Sequence, residues 1–401
     1  MRVTYGKNVY GREEINAVIN QLKKTTQMSS SVKKFETKIA KIFNKKYGLM
    51  VNSGSSALTL AMDLLDLKKD DEIITPALNF GTAISAIVKA KAKPIFVDID
   101  VETLQIAVDK IEEKITKKTR ALLIPNLIGN IPNYIKIKKI LKKYKKIKII
   151  EDSADTLGAK IGSQSTGEFS DMSITSFYGS HVISCAGNGG ILLLNDKKHY
   201  ERAKVLRSWG RMSSLLQDSE NINKRLGLKL MGVEYDRKFV FAESGYNFEP
   251  SEIGAAFGLE QLKKFNTFSK LRNKNFKLHK IFFNNHKNLF ITPSILKNVK
   301  TNFLSYPIIL KENKLFDRKD LQIYLENHNI QTRPIFTGNV LRHPAFRYLI
   351  SKINKLSNYK NSDYIMRNGI LIGCHQGLSS KHMGYMHAII NKFLKTKLIN
   401  K

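Results

Sequence analysis

The sequence predicts an α/β protein in which a large domain with a mostly parallel β-sheet precedes a smaller C-terminal α+β domain. The chain has 401 residues, of which 42% are apolar, enough for two domains. Between residue 29 and about residue 270, short apolar runs alternate with helix-like periods of about 10 to 20 residues, as crossover connections between parallel strands require. Beyond residue 271 this alternation stops, which indicates a second architecture.

The strands predicted for the large domain are short apolar runs bounded by polar or small residues. They cover residues 72–74, 94–97, 121–125, 147–150, 173–177 and 190–194. A helix is predicted over residues 250–265, where apolar side chains recur with helical spacing.

The smaller domain is predicted from a Lys/Asn-rich helical stretch that reaches residue 288. Strands over 302–310 and 330–335 and terminal helices follow it. We therefore place the large domain at residues 1–270 and the small domain at residues 271–401. We expect the first 15 or so residues to pack on the small domain.

The charge of the chain limits the classes of partner. The formal net charge is +33, and clustered Lys and Arg side chains would indicate a nucleic-acid partner. Here the lysines are dispersed along helical segments such as residues 138–148, without a basic arm that alternates with aromatic residues. We predict solvated helix faces, no nucleic-acid partner and a preference for small anionic substrates.

Neither membrane insertion, export nor metal binding is predicted. The longest run without Asp, Glu, Lys or Arg, residues 172–195, contains Ser, Gly, Asn and His, whereas a membrane span is uniformly apolar. The N-terminal segment MRVTYGKNVYGREE lacks the apolar core of a signal peptide, so we expect a cytoplasmic protein. Cys185 and Cys374 form neither a disulfide framework nor a metal-ligand motif.

Two features before residue 90 are typical of a site for a phosphate and a flat ring. Residues 52–57 read Asn-Ser-Gly-Ser-Ser-Ala and precede an apolar helix, whose first amides at Gly54, Ser55 and Ser56 would form a phosphate cup. Phe80 follows a predicted strand and would stack on a ring. For each feature alone, an ordinary Ser/Gly helix cap or an aromatic core residue is the simpler explanation.

Acidic residues close the fourth predicted strand. Residues 149–155 read Ile-Ile-Glu-Asp-Ser-Ala-Asp, which places acids at the edge where parallel sheets carry their sites. A carboxylate beside a pyridine nitrogen keeps that nitrogen protonated, so that the ring accepts electrons. Asp152 is the candidate for this role, and a helix N-cap is an equally supported alternative.

A fourth segment completes the order of motifs. Residues 173–181 read Ser-Ile-Thr-Ser-Phe-Tyr-Gly-Ser-His, and a glycine-rich turn follows at residues 185–190. The four segments together resemble the DegT/DnrJ/EryC1/StrS family of nucleotide-sugar aminotransferases, pyridoxal-phosphate (PLP) enzymes of fold type I, the aspartate aminotransferase-like fold. In that family a cofactor-binding lysine follows Ser-Phe after three residues, and His181 stands at that position here. A lone histidine is more often structural, but at this position we predict a catalytic role.

The same replacement marks a branch of the family, the dehydratases that act on GDP- or CDP-linked 4-keto-6-deoxy sugars. Further segments that resemble this branch are Asp155 and residues 126–132, 208–211, 245–247, 332–334 and 337–344. The resemblance implies that Ser176 and the amides of Ser55 and Ser56 hold the cofactor phosphate and that Asp155 lies near the ring hydroxyl. It also implies a homodimer with shared sites, in which Asn247 reaches the neighbouring subunit's cofactor.

The resemblance further implies noncovalent PLP or pyridoxamine phosphate (PMP), with glutamate renewing the amine form and His181, titrating near neutrality, moving protons. Candidate substrate contacts are Trp209, Arg211, Arg333, Asn339, Arg342 and His343. Of these, Arg333 and Arg342 are the candidates for paired contacts with the anionic groups of glutamate or of a diphosphate.

Cysteine content separates two kinds of dehydratase in this branch. The CDP-linked kind carries extra cysteines after its Trp-Gly-Arg segment for an iron–sulfur cluster, whereas residues 212–214 here are Met-Ser-Ser. Two cysteines are too few for a four-thiolate cluster, so we expect none and predict a GDP-linked hexose or heptose of the mannose type. The alternatives are an ordinary sugar aminotransferase that uses another lysine and a non-catalytic regulatory protein.

Overall fold

The computed structural model describes residues 1–216 and 220–399. The strands are β1 Tyr47–Val51, β2 Glu72–Pro76, β3 Lys93–Val97, β4 Thr119–Pro125, β5 Lys148–Asp152, β6 Lys160–Ile161, β7 Gln164–Ser165, β8 Met172–Ser176, β9 Gly190–Leu194, β10 Leu228–Leu230, β11 Val233–Tyr235, β12 Phe290–Ile291, β13 Val299–Lys300, β14 Ser305–Leu310, β15 Thr332–Pro334 and β16 Gly369–Gly373. The α-helices are α1 Arg12–Leu22, α2 Ser30–Ile42, α3 Gly54–Asp63, α4 Gly81–Lys89, α5 Tyr134–Leu141, α6 Lys197–Arg207, α7 Ile222–Arg225, α8 Glu252–Asn284, α9 Arg318–Asn327, α10 Lys360–Asn368 and α11 Ser380–Ile399.

The central sheet has the strand order β1-β9-β8-β5-β4-β2-β3. Strand β9 runs antiparallel to its neighbours β1 and β8, and the other strand pairs of this sheet are parallel. The mostly parallel sheet predicted from the alternation of strands and helices is therefore confirmed. Each of the six strands predicted for the large domain lies within two residues of an observed strand.

The C-terminal part of the chain forms a second sheet, which is antiparallel and has the strand order β12-β14-β16-β15. Strands β14 and β15 correspond to the predicted strands over 302–310 and 330–335. The N-terminal segment joins this region, because Val3 forms a parallel β-bridge with Ile330 and is buried in the same apolar core.

One helix connects the two sheets. The stretch predicted as two helical segments is the single 33-residue helix α8, so the proposed domain boundary at residue 270 lies inside it. Ala255 and Phe268 pack in a core against the large sheet, whereas Phe276 and Phe283 pack in the core of the second sheet. This continuous helix fixes the two cores relative to each other. Among the described residues, no helix combines the length and apolar character that a membrane span requires.

Candidate active site

A cavity of about 710 Å³ lies at the carboxyl ends of the parallel strands, between the two sheets. Its wall includes eight of the residues predicted from separate sequence segments. They are Gly54, Ser55, Phe80, Asp152, Asp155, Ser176, His181 and Arg333. The topology therefore brings the four motif segments to one place.

The start of helix α3 forms one end of the cavity. Ser53 is its N-cap and accepts a hydrogen bond at Oγ from the amide of Ser56 at 3.1 Å. The first two amides, those of Gly54 and Ser55, have no partner within a helix and are suited to an anion. Ser56 differs from the expectation: its hydroxyl donates to Asn52 Oδ1 at 2.6 Å, so both its polar groups are engaged inside the protein.

Close backbone packing sets Ser176 beside this helix start. A Cβ on Gly54 would lie 2.9 Å from the Cβ of Ser176, and a Cβ on Gly190 would lie 2.3 Å from the carbonyl carbon of Ser53. Glycine at both positions lets the last residue of β8 and the first residue of β9 approach the loop before α3. The Ser176 hydroxyl and the free helix amides then face the same cavity.

Two carboxylates stand at the end of β5. Asp152 Oδ1 accepts from the amide of Ala154 at 3.0 Å, and Asp155 Oδ2 accepts from the amide of Ile128 at 2.8 Å. Burial raises the pKa of Asp152 to about 6 and that of Asp155 to about 7, and the charge of Asp152 adds to the rise at Asp155. A cation in the cavity, such as a protonated pyridine nitrogen, would favour the ionised forms.

Without a ligand, the buried Asp152 carboxylate reduces stability, so Asp152→Asn should raise the unfolding temperature of the cofactor-free protein at pH 8. A folded-state pKa above the unfolded value means that ionisation opposes folding. This penalty is complete above pH 6 and disappears as the pH falls towards 4. Thermal unfolding of both proteins between pH 4 and 8 measures the difference, and a gap that does not change with pH would contradict the assignment.

The imidazole of His181 is held in one tautomer. Its Nδ1 lies 3.2 Å from the carbonyl oxygen of Ser176, and a carbonyl only accepts hydrogen bonds, so Nδ1 carries the proton. In the neutral ring Nε2 is then a base. Burial, with a smaller contribution from the charge of Arg272, lowers the pKa of His181 to about 4. His181 is therefore neutral at pH 7, which corrects the expectation that it titrates near neutrality.

Aromatic residues surround the cavity, and most of them were missed from the sequence. Phe80 is 55% exposed and meets Phe336 edge to face, with ring centroids 6.3 Å apart. Tyr178, 57% exposed, lies edge to face with the His181 ring at 6.0 Å. Tyr5 from the N-terminal segment also lines the cavity. Tyr178 is within a motif segment and its position was a signal, whereas nothing local marks Tyr5 or Phe336.

Three of the candidate substrate contacts do not line this cavity. Asn339 is completely buried and donates to Asp363 Oδ1 at 2.8 Å. Arg342 makes two hydrogen bonds of 2.6 Å to the same carboxylate, and His343 Nε2 lies 2.7 Å from the carbonyl oxygen of Thr337. Their polar groups therefore hold the segment that carries the cavity residue Thr337, and direct substrate contact stays a prediction.

Three other predicted residues lie together outside the cavity of this chain. Asn247 forms a β-bridge with Ser208, and the Arg211 guanidinium stacks over the Trp209 ring at 4.1 Å. Sites shared between subunits would require such residues to face a neighbour. Their roles towards cofactor and substrate therefore remain predictions.

The cavity fits a phosphorylated pyridine. It combines helix amides and a serine for the phosphate, an exposed aromatic ring at Phe80 and two acids with raised pKa values. Within residues 1–216 and 220–399, no lysine lines it. No lysine of this described wall would therefore stand beside a cofactor bound here.

Comparison with known proteins agrees with this geometry. Residues 9–391 match the DegT/DnrJ/EryC1/StrS aminotransferase family. The chain belongs to this family. A relative, GDP-4-keto-6-deoxy-D-mannose 3-dehydratase of Escherichia coli O55:H7 (strain CB9615 / EPEC), is 32% identical over 371 residues, which cover 90% of this chain and 92% of the relative.

Solved structures of sugar 3-dehydratases confirm the predicted fold type I. The E. coli GDP-4-keto-6-deoxy-D-mannose-3-dehydratase with bound hydrated PLP is 30% identical, with a TM-score of 0.86 over 97% of this chain and 100% of that one. GDP-4-keto-6-deoxymannose-3-dehydratase with a trapped PLP-glutamate geminal diamine is 28% identical, with a TM-score of 0.85 over 96% and 99% of the two chains.

Proposed function

We propose that this protein is a PLP- and PMP-dependent 3-dehydratase. It removes the carbon-3 hydroxyl of a GDP-linked 4-keto-6-deoxy sugar and yields a 3,6-dideoxy-4-keto sugar, while glutamate renews PMP. The observation that carries the proposal is His181, a neutral base with Nε2 available, at the lysine position of the family and in a cavity whose described wall contains no lysine. A sugar aminotransferase would need that lysine.

The bound cofactor would supply an amino group and an electron-accepting ring. Asp152 would keep the ring nitrogen protonated, and the amides of Gly54 and Ser55 with the Ser176 hydroxyl would hold the phosphate. Phe80 would stack on the ring. These contacts leave proton transfer to His181.

His181 moves protons in both half-reactions. Its Nδ1–H is fixed on the Ser176 carbonyl, so Nε2 is the proton carrier. In dehydration Nε2 would take a proton from the amine-bearing carbon of the cofactor and pass it to the departing hydroxyl. In renewal Nε2 would take the α-proton of glutamate and deliver it to the same cofactor carbon. The overall reaction balances without an added reductant. The sugar loses one oxygen and gains two electrons, and glutamate supplies both electrons as it becomes 2-oxoglutarate and ammonia.

The related dehydratases support the choice of substrates. The relative from Escherichia coli O55:H7 is a GDP-4-keto-6-deoxy-D-mannose 3-dehydratase, and one related dehydratase structure holds a PLP-glutamate geminal diamine. Arg333, which lines the cavity, is suited to a carboxylate or a diphosphate. We propose a GDP-linked hexose or heptose of the mannose type as substrate, and a cytoplasmic location is part of the proposal.

A homodimer is part of the proposal. The region after α6 exposes several large apolar side chains, among them Val233 at 65%, Phe239 at 52% and Phe241 at 60%. Exposed apolar side chains grouped in one region are typical of protein–protein interfaces. Asn247, Trp209 and Arg211 lie on the same region and would reach the neighbouring subunit's cavity.

The reaction itself is the decisive test. With glutamate present, the purified protein should convert a GDP-linked 4-keto-6-deoxy sugar to the 3,6-dideoxy-4-keto product, with ammonia and 2-oxoglutarate formed in equal amounts. In heavy water the product should carry deuterium at carbon 3, because a proton from solvent replaces the lost hydroxyl. Mass spectrometry of the sugar measures both changes. A stable 4-amino sugar that keeps its carbon-3 oxygen would identify an aminotransferase instead.

A further inference from the structure

The fully buried guanidinium of Arg272, on α8, lies next to the candidate active site. A buried charge is costly unless it is paired or saturated with hydrogen bonds. Within residues 1–216 and 220–399, no carboxylate forms an ion pair with Arg272. The charge is instead stabilised by hydrogen bonds to one side-chain oxygen and to backbone carbonyl oxygens.

One side of the guanidinium binds the region of the second sheet. Its Nε donates to Gln376 Oε1 at 2.6 Å, and its Nη1 donates to the carbonyls of Phe303 and Leu304 at 3.0 Å each. Leu304 itself lines the candidate active site. These three bonds tie Arg272 to the wall of the cavity opposite the large sheet.

The other side binds the turn that carries the base. Nη2 donates to the carbonyl of His181 at 3.1 Å and contacts the carbonyl of Ser180 at 3.5 Å. The Gln376 amide, 3.4 Å from the carbonyl of Val182, extends this contact to a third successive residue. The backbone of the turn is thus attached to the second sheet, while the His181 ring is attached to Ser176.

We infer that Arg272 is a positioning residue, whose planar set of donors fixes the His181 turn against the second sheet so that Nε2 faces the reacting atoms. The reaction that His181 serves in this inference is that of the proposed function, whereas the contacts of Arg272 do not depend on that function. Arginine suits this task because its five N–H groups form a rigid fork, and lysine, with three donors on a flexible stem, cannot reach the same four carbonyls and amide oxygen.

The test compares two conservative variants in the full-length holoenzyme. Arg272→Lys keeps the charge and removes the fork. Arg207→Lys is the matched control, because Arg207 is also buried and binds Glu36 and the carbonyl of Met50 away from the cavity. We expect Arg272→Lys to slow the glutamate-dependent change in cofactor absorbance about 10- to 100-fold, with glutamate and cofactor affinities nearly unchanged, since small misplacements of reacting groups have such effects. Arg207→Lys should lose thermal stability without this loss of rate.

A second measurement does not depend on activity. The chain has nine histidines, and the imidazole NMR signal of His181 in cofactor-free protein is assigned by its disappearance in His181→Asn. The signal should shift in Arg272→Lys and stay in place in Arg207→Lys. An unmoved signal with a wild-type rate, or equal slowing by the two variants, would overturn the inference.

A third variant decides the case in which Arg272→Lys does not fold. Gln376→Met removes the acceptor of Nε and the contact to Val182, so the His181 signal should shift in the same direction by less, and an unmoved signal would count against the inference. If wild-type protein converts no keto sugar while the signal and the glutamate reaction respond as expected, the dehydratase proposal fails and the positioning role stands.

Discussion

His181→Asn should retain the cofactor and lose about 100- to 10,000-fold of the dehydration rate, the contribution typical of a general acid–base group. Asparagine preserves a side-chain donor to the Ser176 carbonyl, which His181 Nδ1 contacts at 3.2 Å, and lacks a base equivalent to Nε2. Steady-state kcat with saturating glutamate and sugar measures the loss, while the absorbance of the purified protein reports cofactor content. Unchanged turnover would remove His181 from the mechanism.

His181→Lys provides the complementary result. A lysine at this position should bind the cofactor covalently, so that borohydride fixes it to the protein, and dehydration should stop. The wild-type protein should release all of its cofactor on denaturation after the same treatment, because no lysine lines the described cavity wall. A borohydride-fixed adduct in the wild type would show that a lysine from outside that wall reaches the cofactor.

The strand pattern was predictable because each apolar run packs between helices on both faces of the sheet. Strand β1 was missed because Gly48 interrupts its run of apolar side chains. A Cβ on Gly48 would lie 2.6 Å from the carbonyl oxygen of Glu36, so the close contact between α2 and β1 requires glycine. A local pattern cannot reveal a constraint that comes from tertiary packing.

Helix α8 shows a second limit of prediction from the sequence. Its composition changes near residue 270, which suggested a break, yet the helix continues to Asn284. Polar residues in this part are buried, since Arg272 and Asn275 donate to backbone carbonyls of other segments. Charged and amide side chains that look solvated in sequence are here the links between two cores.

The residues of the candidate site also differ in how far local sequence predicts them. Residues next to the ends of strands, such as Asp152, Ser176 and His181, could be predicted because the ends of parallel strands meet at one edge. The direction in which the Asn339 and Arg342 side chains point could not be predicted. Both bind Asp363, which lies more than twenty residues later in the chain. Adjacency to a motif does not specify which way a side chain points.

Asp152→Asn should have opposite effects with and without cofactor. In the cofactor-free protein it removes a buried carboxylate whose pKa is raised to about 6 by burial, and stability should rise. With cofactor bound, it removes the partner of a protonated ring nitrogen. Loss of one member of a buried ion pair costs about 3 to 5 kcal/mol, which corresponds to roughly 150- to 5,000-fold in kcat/KM for the keto sugar.

Asp155→Asn is the matched control for this substitution. Its carboxylate is also buried in the cavity wall, accepts one backbone hydrogen bond and has a pKa raised to about 7. Because we place Asp155 near the ring hydroxyl, and not at the nitrogen, its loss should reduce kcat/KM far less than that of Asp152. Titration with PLP and kinetics of the two variants at pH 8 measure the contrast. Equal losses, or a larger one at Asp155, would show that Asp155 and not Asp152 holds the ring nitrogen.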